Sequence, residues 1–243
     1  MSERLLRATI REIKVEYNGA DAVGTKQSRR KSASRNVVVA VLAYPRSGTA
    51  VVTSLKELDL PSGEVFSDFG KRPSFWDNGL FKEVVQGETA LKISVSDRNR
   101  HNPIVRFLDR SMGGGLGVLF RGRTGGMLGG LVGNLTKALS DSIADSEQKV
   151  RNLTVATTDR AQIVIDESGE LSVHNAGKSE DAPVHFEDGR LRLAFRAPRR
   201  FTHTVLDRTR GARAPKATEV SLLEEGDLNG YVVLDLALVP RVS

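Results

Sequence analysis

Apolar and polar positions alternate with period two along most of this chain, and the pattern breaks for one long stretch in the middle. In residues 5–17, Leu6, Ala8 and Ile10 alternate with polar neighbours, then Ile13, Val15 and Tyr17 continue on the shifted phase. One extra residue near Arg11–Glu12 would produce that shift, so the segment predicts a strand with a β-bulge. Residues 36–44 are β-branched and apolar and predict a buried strand. Pro45-Arg46-Ser47-Gly48 suits a tight turn, after which 49–54 returns as the next strand. Residues 79–97 predict a hairpin or bulged strand pair with Gly87 at its turn, because Leu91, Ile93 and Val95 alternate cleanly.

The period then changes. Asn102-Pro103 is a helix start signal, and Ile104, Phe107 and Leu108 share one helical face. Gly113–Gly115 ends that piece, and from about residue 126 to 148 the stripe Leu128, Leu131, Val132, Leu135, Ala138, Leu139, Ile143 fits 3.6 residues per turn. Two ladders of glycine interlock here, Gly122, Gly126, Gly130 and Gly125, Gly129, Gly133. Each forms a smooth stripe on a helix. A helical glycine costs about 0.8–1 kcal/mol relative to alanine, so such a helix needs something packed closely along it. After this stretch the β pattern resumes. Short strands flank Asp166-Glu167-Ser168-Gly169 and Asp188-Gly189, residues 207–229 have the composition of a loop, and 230–240 form a last strand. The expectation is a single domain over 1–243, mainly β, an antiparallel β-sandwich with an inserted α-helical hairpin at 102–149.

Charge narrows the choice of partners. The chain carries a formal +6, and the excess is clustered in 26–35, 98–123 and 190–216. Such blocks suit an anionic partner, either a phospholipid surface or an acidic protein face. In the middle block Leu119 and Phe120 lie among Arg98, Arg100, Arg106, Arg110, Arg121 and Arg123, an apolar wedge flanked by cations that suits anionic headgroups. Nucleic acid is disfavoured, since the aromatics needed for base stacking are not interleaved with the basic blocks. The aromatics concentrate instead in 66–81, with Phe66, Phe69, Phe75, Trp76 and Phe81, which suits packing at the end of a core.

There is no cysteine, and the four histidines lack metal-ligand spacing, so neither a disulfide framework nor a metal site is expected. The longest apolar run, 37–44, is too short to span a bilayer as a helix, and the N-terminus lacks a secretory pattern. The expected setting is cytoplasmic, at a membrane periphery or within an assembly. No cofactor is called for.

Two resemblances add to this reading. Residues 41–55, VLAYPRSGTAVVTSL, resemble the phosphosulfate-binding loop of sulfotransferases, where a strand runs through Pro-Arg-Ser-Gly-Thr into a helix. That resemblance implies phosphate binding by Arg46, Ser47, Gly48 and Thr49. Segments 5–17, 36–44 and 72–99, the last ending its apolar strand in Val95-Ser96-Asp97, resemble a C-two-type β-sandwich, the calcium- and lipid-binding fold of signalling and trafficking proteins. By that resemblance Asp97 falls where one calcium ligand sits, while Asp21 and its neighbours do not supply the second cluster, and a single carboxylate is too few for the ion. The function expected is therefore a non-catalytic binding module docking on an anionic membrane or a protein partner. The alternatives are a structural subunit of a homo- or hetero-assembly, and a sulfotransferase-like enzyme.

Overall fold

The computed structural model describes residues 4–19, 34–44, 49–85, 87–97, 154–175, 184–207 and 216–239. The glycine ladders and the helical hairpin expected over 102–149 lie outside the described residues. Among those described the one helix is the four-residue turn α1, Phe75–Asn78.

Fourteen strands make up the rest: β1 Arg4–Val15, β2 Ser34–Tyr44, β3 Thr49–Leu60, β4 Val65–Phe66, β5 Gly79–Val85, β6 Glu88–Asp97, β7 Thr154–Thr158, β8 Ala161–Ile165, β9 Leu171–Asn175, β10 His185–Glu187, β11 Arg190–Arg196, β12 Phe201–Asp207, β13 Lys216–Leu223 and β14 Leu228–Val239. All the ladders between strands are antiparallel, and the main sheet folds over on itself into a nearly closed, mainly β body, as a sandwich or barrel does. The first layer runs β3-β2-β6-β8-β9, and the second has β5 and β4 side by side on β1, followed by β14, β11 and β10. β7 joins the layers, pairing with β6 on one side and β11 on the other. At the far margin the Lys56 Nζ of β3 donates to the Gly79 carbonyl of β5 at 3.2 Å. The outer edges of the two layers thus meet each other there.

Alternation explains the core. Leu6, Ala8 and Ile10, then Ile13 and Val15, all face inward, and the register with β14 shifts between Ile10 and Glu12. Arg11 is the extra residue, so the bulge falls where the phase change predicted it. From β14, Val232, Leu234 and Leu236 meet them, and Leu191, Leu193 and Phe195 come from β11. Val38, Ala40, Leu42, Leu91, Ile93 and Val95 face them from the first layer. The Asp188-Gly189 turn has φ of 49° and 75°, the paired left-handed conformation that a two-residue hairpin needs.

Three expectations are corrected. Residues 79–97 are no hairpin: β5 pairs with β1 and β6 pairs with β2, so the Gly87 corner carries the chain from one layer to the other. Residues 207–229 are not simply a loop, because β12 and β13 form a separate two-stranded ribbon. The strand expected over 49–54 continues to Leu60.

Three asparagines with no exposed surface close one end of the body. Asn229 accepts from the Tyr17 amide at 2.8 Å and donates to the carbonyls of Tyr17 and Val155 at 3.1 and 2.7 Å. Asn18 donates to the Leu60 carbonyl at 2.7 Å, and Asn36 to the Asn18 carbonyl at 2.9 Å. Next to Asn229, Gly230 has φ of 113°, and a Cβ built there would lie 2.0 Å from the Lys14 carbonyl oxygen. Only glycine lets β14 come this close to β1. Gly230→Ala is therefore expected to cost about 3 kcal/mol or more in urea unfolding; an unchanged midpoint would remove this account of the contact.

Glu83 sits opposite Leu6, in phase with the buried Phe81 and Val85. Burial pushes its carboxyl up from the usual range. A raised folded-state value means that the folded chain holds this proton more tightly than the unfolded one, so the group opposes folding increasingly as pH rises from the ordinary carboxyl range through the folded value. Glu83→Gln is expected to raise the melting temperature at pH 7, with the gain shrinking towards pH 4; a loss of stability at pH 7 would contradict it.

Candidate functional site

The outward side of the second layer is cationic. On β1 the residues between inward-facing ones are Arg7, Thr9, Glu12 and Lys14, with Arg11 at the bulge. Lys82 of β5 lies directly opposite Arg7, and both are exposed. From the other side, Arg190 and Arg192 of β11 alternate with the buried Leu191 and Leu193. Six cations thus share the face with Glu12, Asp235 and Glu187.

Local pairing accounts for some of these cations. Asp235 takes two arginines, Arg11 at 3.8 Å and Arg190 at 3.9 Å. Lys14 is 2.5 Å from Glu16. The Arg192 guanidinium lies over the Tyr231 ring, 4.0 Å from its centroid. Burial, followed by the charge of Glu12, pushes the Tyr231 hydroxyl above the ordinary phenol range. Arg7 and Lys82 form a like-charge pair across neighbouring strands, an arrangement that opposes folding. Beside them the next row of the same face is apolar: Val84, 41% exposed, lies opposite Leu5, which lies opposite Val239.

The third basic block divides between this face and structural work. Arg190 and Arg192 belong to the face. Arg196 donates to the Gly226 carbonyl at 2.9 Å and approaches Asp159 at 3.6 Å. Arg199 stacks over Phe201, which itself packs on Tyr17, and Arg200 pairs with Glu224 at 3.3 Å.

Of the residues singled out from sequence, Arg98, Arg100, Arg106, Arg110, Leu119, Phe120, Arg121 and Arg123 lie outside the described residues, as do Arg46, Ser47 and Gly48. Thr49 opens β3, which runs back antiparallel to β2 from the pair Tyr44 and Thr49. A strand therefore follows the Pro-Arg-Ser-Gly segment where the sulfotransferase pattern has a helix, so no helix N-terminus follows it to receive a phosphate. Asp97 ends β6 opposite Asn36. Among the described residues no group of three histidine, cysteine or acidic side chains is placed to hold a metal ion. Sequence reasoning missed Arg7, Arg11, Lys14 and Lys82 as a set, because Lys82 reaches Arg7 only through the pairing of β1 with β5. The local sign was the alternation of basic with apolar residues in RLRL, 190–193.

Comparison with protein-family models, with curated proteins and with solved structures finds no match for this chain. The functional reading therefore rests on the chemistry of this face.

If Arg7 and Lys82 serve a ligand and not the fold, removing their charge should not cost stability. Arg7→Gln and Lys82→Gln are each expected to leave unfolding free energy unchanged or raise it by a few tenths of a kcal/mol. A loss above about 1 kcal/mol in urea titration would assign them a structural role.

Proposed function

We propose that this protein is a non-catalytic module that docks on an anionic membrane surface through the outer face of its second layer. The observation that carries the proposal is the row Arg7–Lys82, like charges placed opposite each other beside the apolar row Leu5, Val84 and Val239. Cations bordering apolar side chains suit an interface where lipid phosphates lie just above acyl chains. In this reading the body is a C-two-type sandwich, residues 102–149 form its helical insertion, and the protein sits at the cytoplasmic side of a membrane as a peripheral component. The arginines at 98, 100, 106, 110, 121 and 123 extend the same attraction, and Leu119 and Phe120 add apolar contact. In this reading the cations themselves meet the lipid phosphates.

Each basic residue near an anionic bilayer contributes about 1 kcal/mol, so the Arg7→Gln, Lys82→Gln double variant is expected to bind roughly 30-fold more weakly. Co-sedimentation with vesicles of mixed phosphatidylserine and phosphatidylcholine measures this, and the wild-type binding is expected to fall steeply with added salt. Equal binding to pure phosphatidylcholine vesicles, or none to the anionic ones, would reject the membrane and leave an acidic protein face as the partner to test.

A further inference from the structure

We propose that the β12–β13 ribbon is an arm through which two copies of this chain pair edge to edge along β13. The ribbon prolongs the β11–β14 ladder, which reaches Arg196 and Leu228. Two further backbone bonds carry it on: the Ala197 amide donates to the Asp227 carbonyl at 2.8 Å, and the Gly226 amide to the Ala197 carbonyl at 2.9 Å. Pairing resumes at Phe201 and Leu223 as β12 and β13. Phe201 is buried, with its ring centre 4.9 Å from that of Tyr17, and roots the ribbon in the body. Past this root the support ends. Glu219, Val220, Ser221 and Leu222 are all exposed, although consecutive strand residues point to opposite faces. At these four residues neither face of β13 has a layer behind it.

A ribbon of two strands is marginal in water by itself, and a third strand stabilises it. Among the described residues β12 and β13 pair only with each other, so each keeps one edge open. Lysine or proline commonly blocks such an edge, and from Ala217 to Leu223 β13 carries neither. The exposed apolar pair lies on β13, and that strand suits a second copy of itself. It opens with Lys216 and runs into Glu224 and Glu225. Antiparallel pairing brings the basic start of each copy to the acidic end of the other. A register with Ser221 opposite its own copy sets Val220 opposite Leu222, and Leu222 opposite Val220. Those two residues, 44% and 47% exposed in the single chain, then cover each other on one face. A register centred on Glu219 would instead oppose two glutamates, which is unfavourable. The two-fold relation makes each of these contacts twice.

The chain has no cysteine, so one introduced thiol can cross-link only to its own copy. In the proposed register Ser221 lies opposite itself, with the roughly 4.5–5.5 Å between Cα atoms that a disulfide spans. Glu219, on the same exposed strand, lies about 14 Å from its copy. Under a mild oxidant, full-length Ser221→Cys is expected to form a covalent dimer at least about tenfold faster than Glu219→Cys. Sedimentation equilibrium of the unmodified chain is expected to show a dimer, and the Val220→Lys, Leu222→Lys double variant to weaken it at least about tenfold. Equal cross-linking at the two positions overturns the proposal. So does a strict monomer at concentrations up to about 1 mM, or a dimer that the double variant leaves intact. No lipid enters either measurement, so this pairing can fail while membrane docking stands.

Discussion

The buried amides of Asn18, Asn36 and Asn229 bind the two layers together where hydrophobic contact alone would leave them free to slide. Asn229 belongs to β14, yet its side chain satisfies both backbone groups of Tyr17 and reaches the Val155 carbonyl of β7. Asn18 and Asn36 carry the connection on to β3 and β2. A net hydrogen bond contributes only about 1 kcal/mol, but a buried amide left without partners costs more than that. The penalty for misalignment is therefore large at this end, and the amides reinforce the register that the buried faces of the strands already require. Gly230 adds a steric condition beside them, since it brings β14 against the Lys14 carbonyl.

This clasp fixes what each face can do. With β1 and β14 in register, Arg7, Glu12 and Lys14 point outward together, in line with Asp235 and Tyr231. With β2 and β6 in register, Val37 and Ser96 share the other outer face. One side carries charges that water can reach, and the other carries at Val37, Val39, Ser96 and Thr154 small and β-branched residues that water does not reach. The two faces come from the same period-two pattern, filled with different residues.

How much of this the chain discloses depends on the range of the interaction. The bulge at Arg11 is legible because a phase change is written in thirteen consecutive residues, and the Asp188-Gly189 turn because two residues decide its backbone. Residues 79–97 mislead because Gly87 marks a reversal without saying which strand lies alongside. β5 finds its partner in β1, seventy or more positions away, and nothing local records that choice. The β12–β13 ribbon is faint for another reason. Val220 and Leu222 of β13 are 44% and 47% exposed, so burial does not enforce a clear alternation there. The cationic face is divided among β1, β5 and β11, and only the β11 share leaves a visible motif.

The pairing of β1 with β14 also has a consequence for synthesis. β1 emerges early from the ribosome, but its long ladder partner is made more than two hundred residues later. At translation rates of about 5–20 residues per second, β1 waits on the order of ten seconds or more. During that time its apolar side can meet β2 and β6 of the first layer, while along its edges only β5 and β4 are present to pair with it. The β14 edge of β1 therefore stays without its ladder partner until that strand is made, and the second layer is completed late.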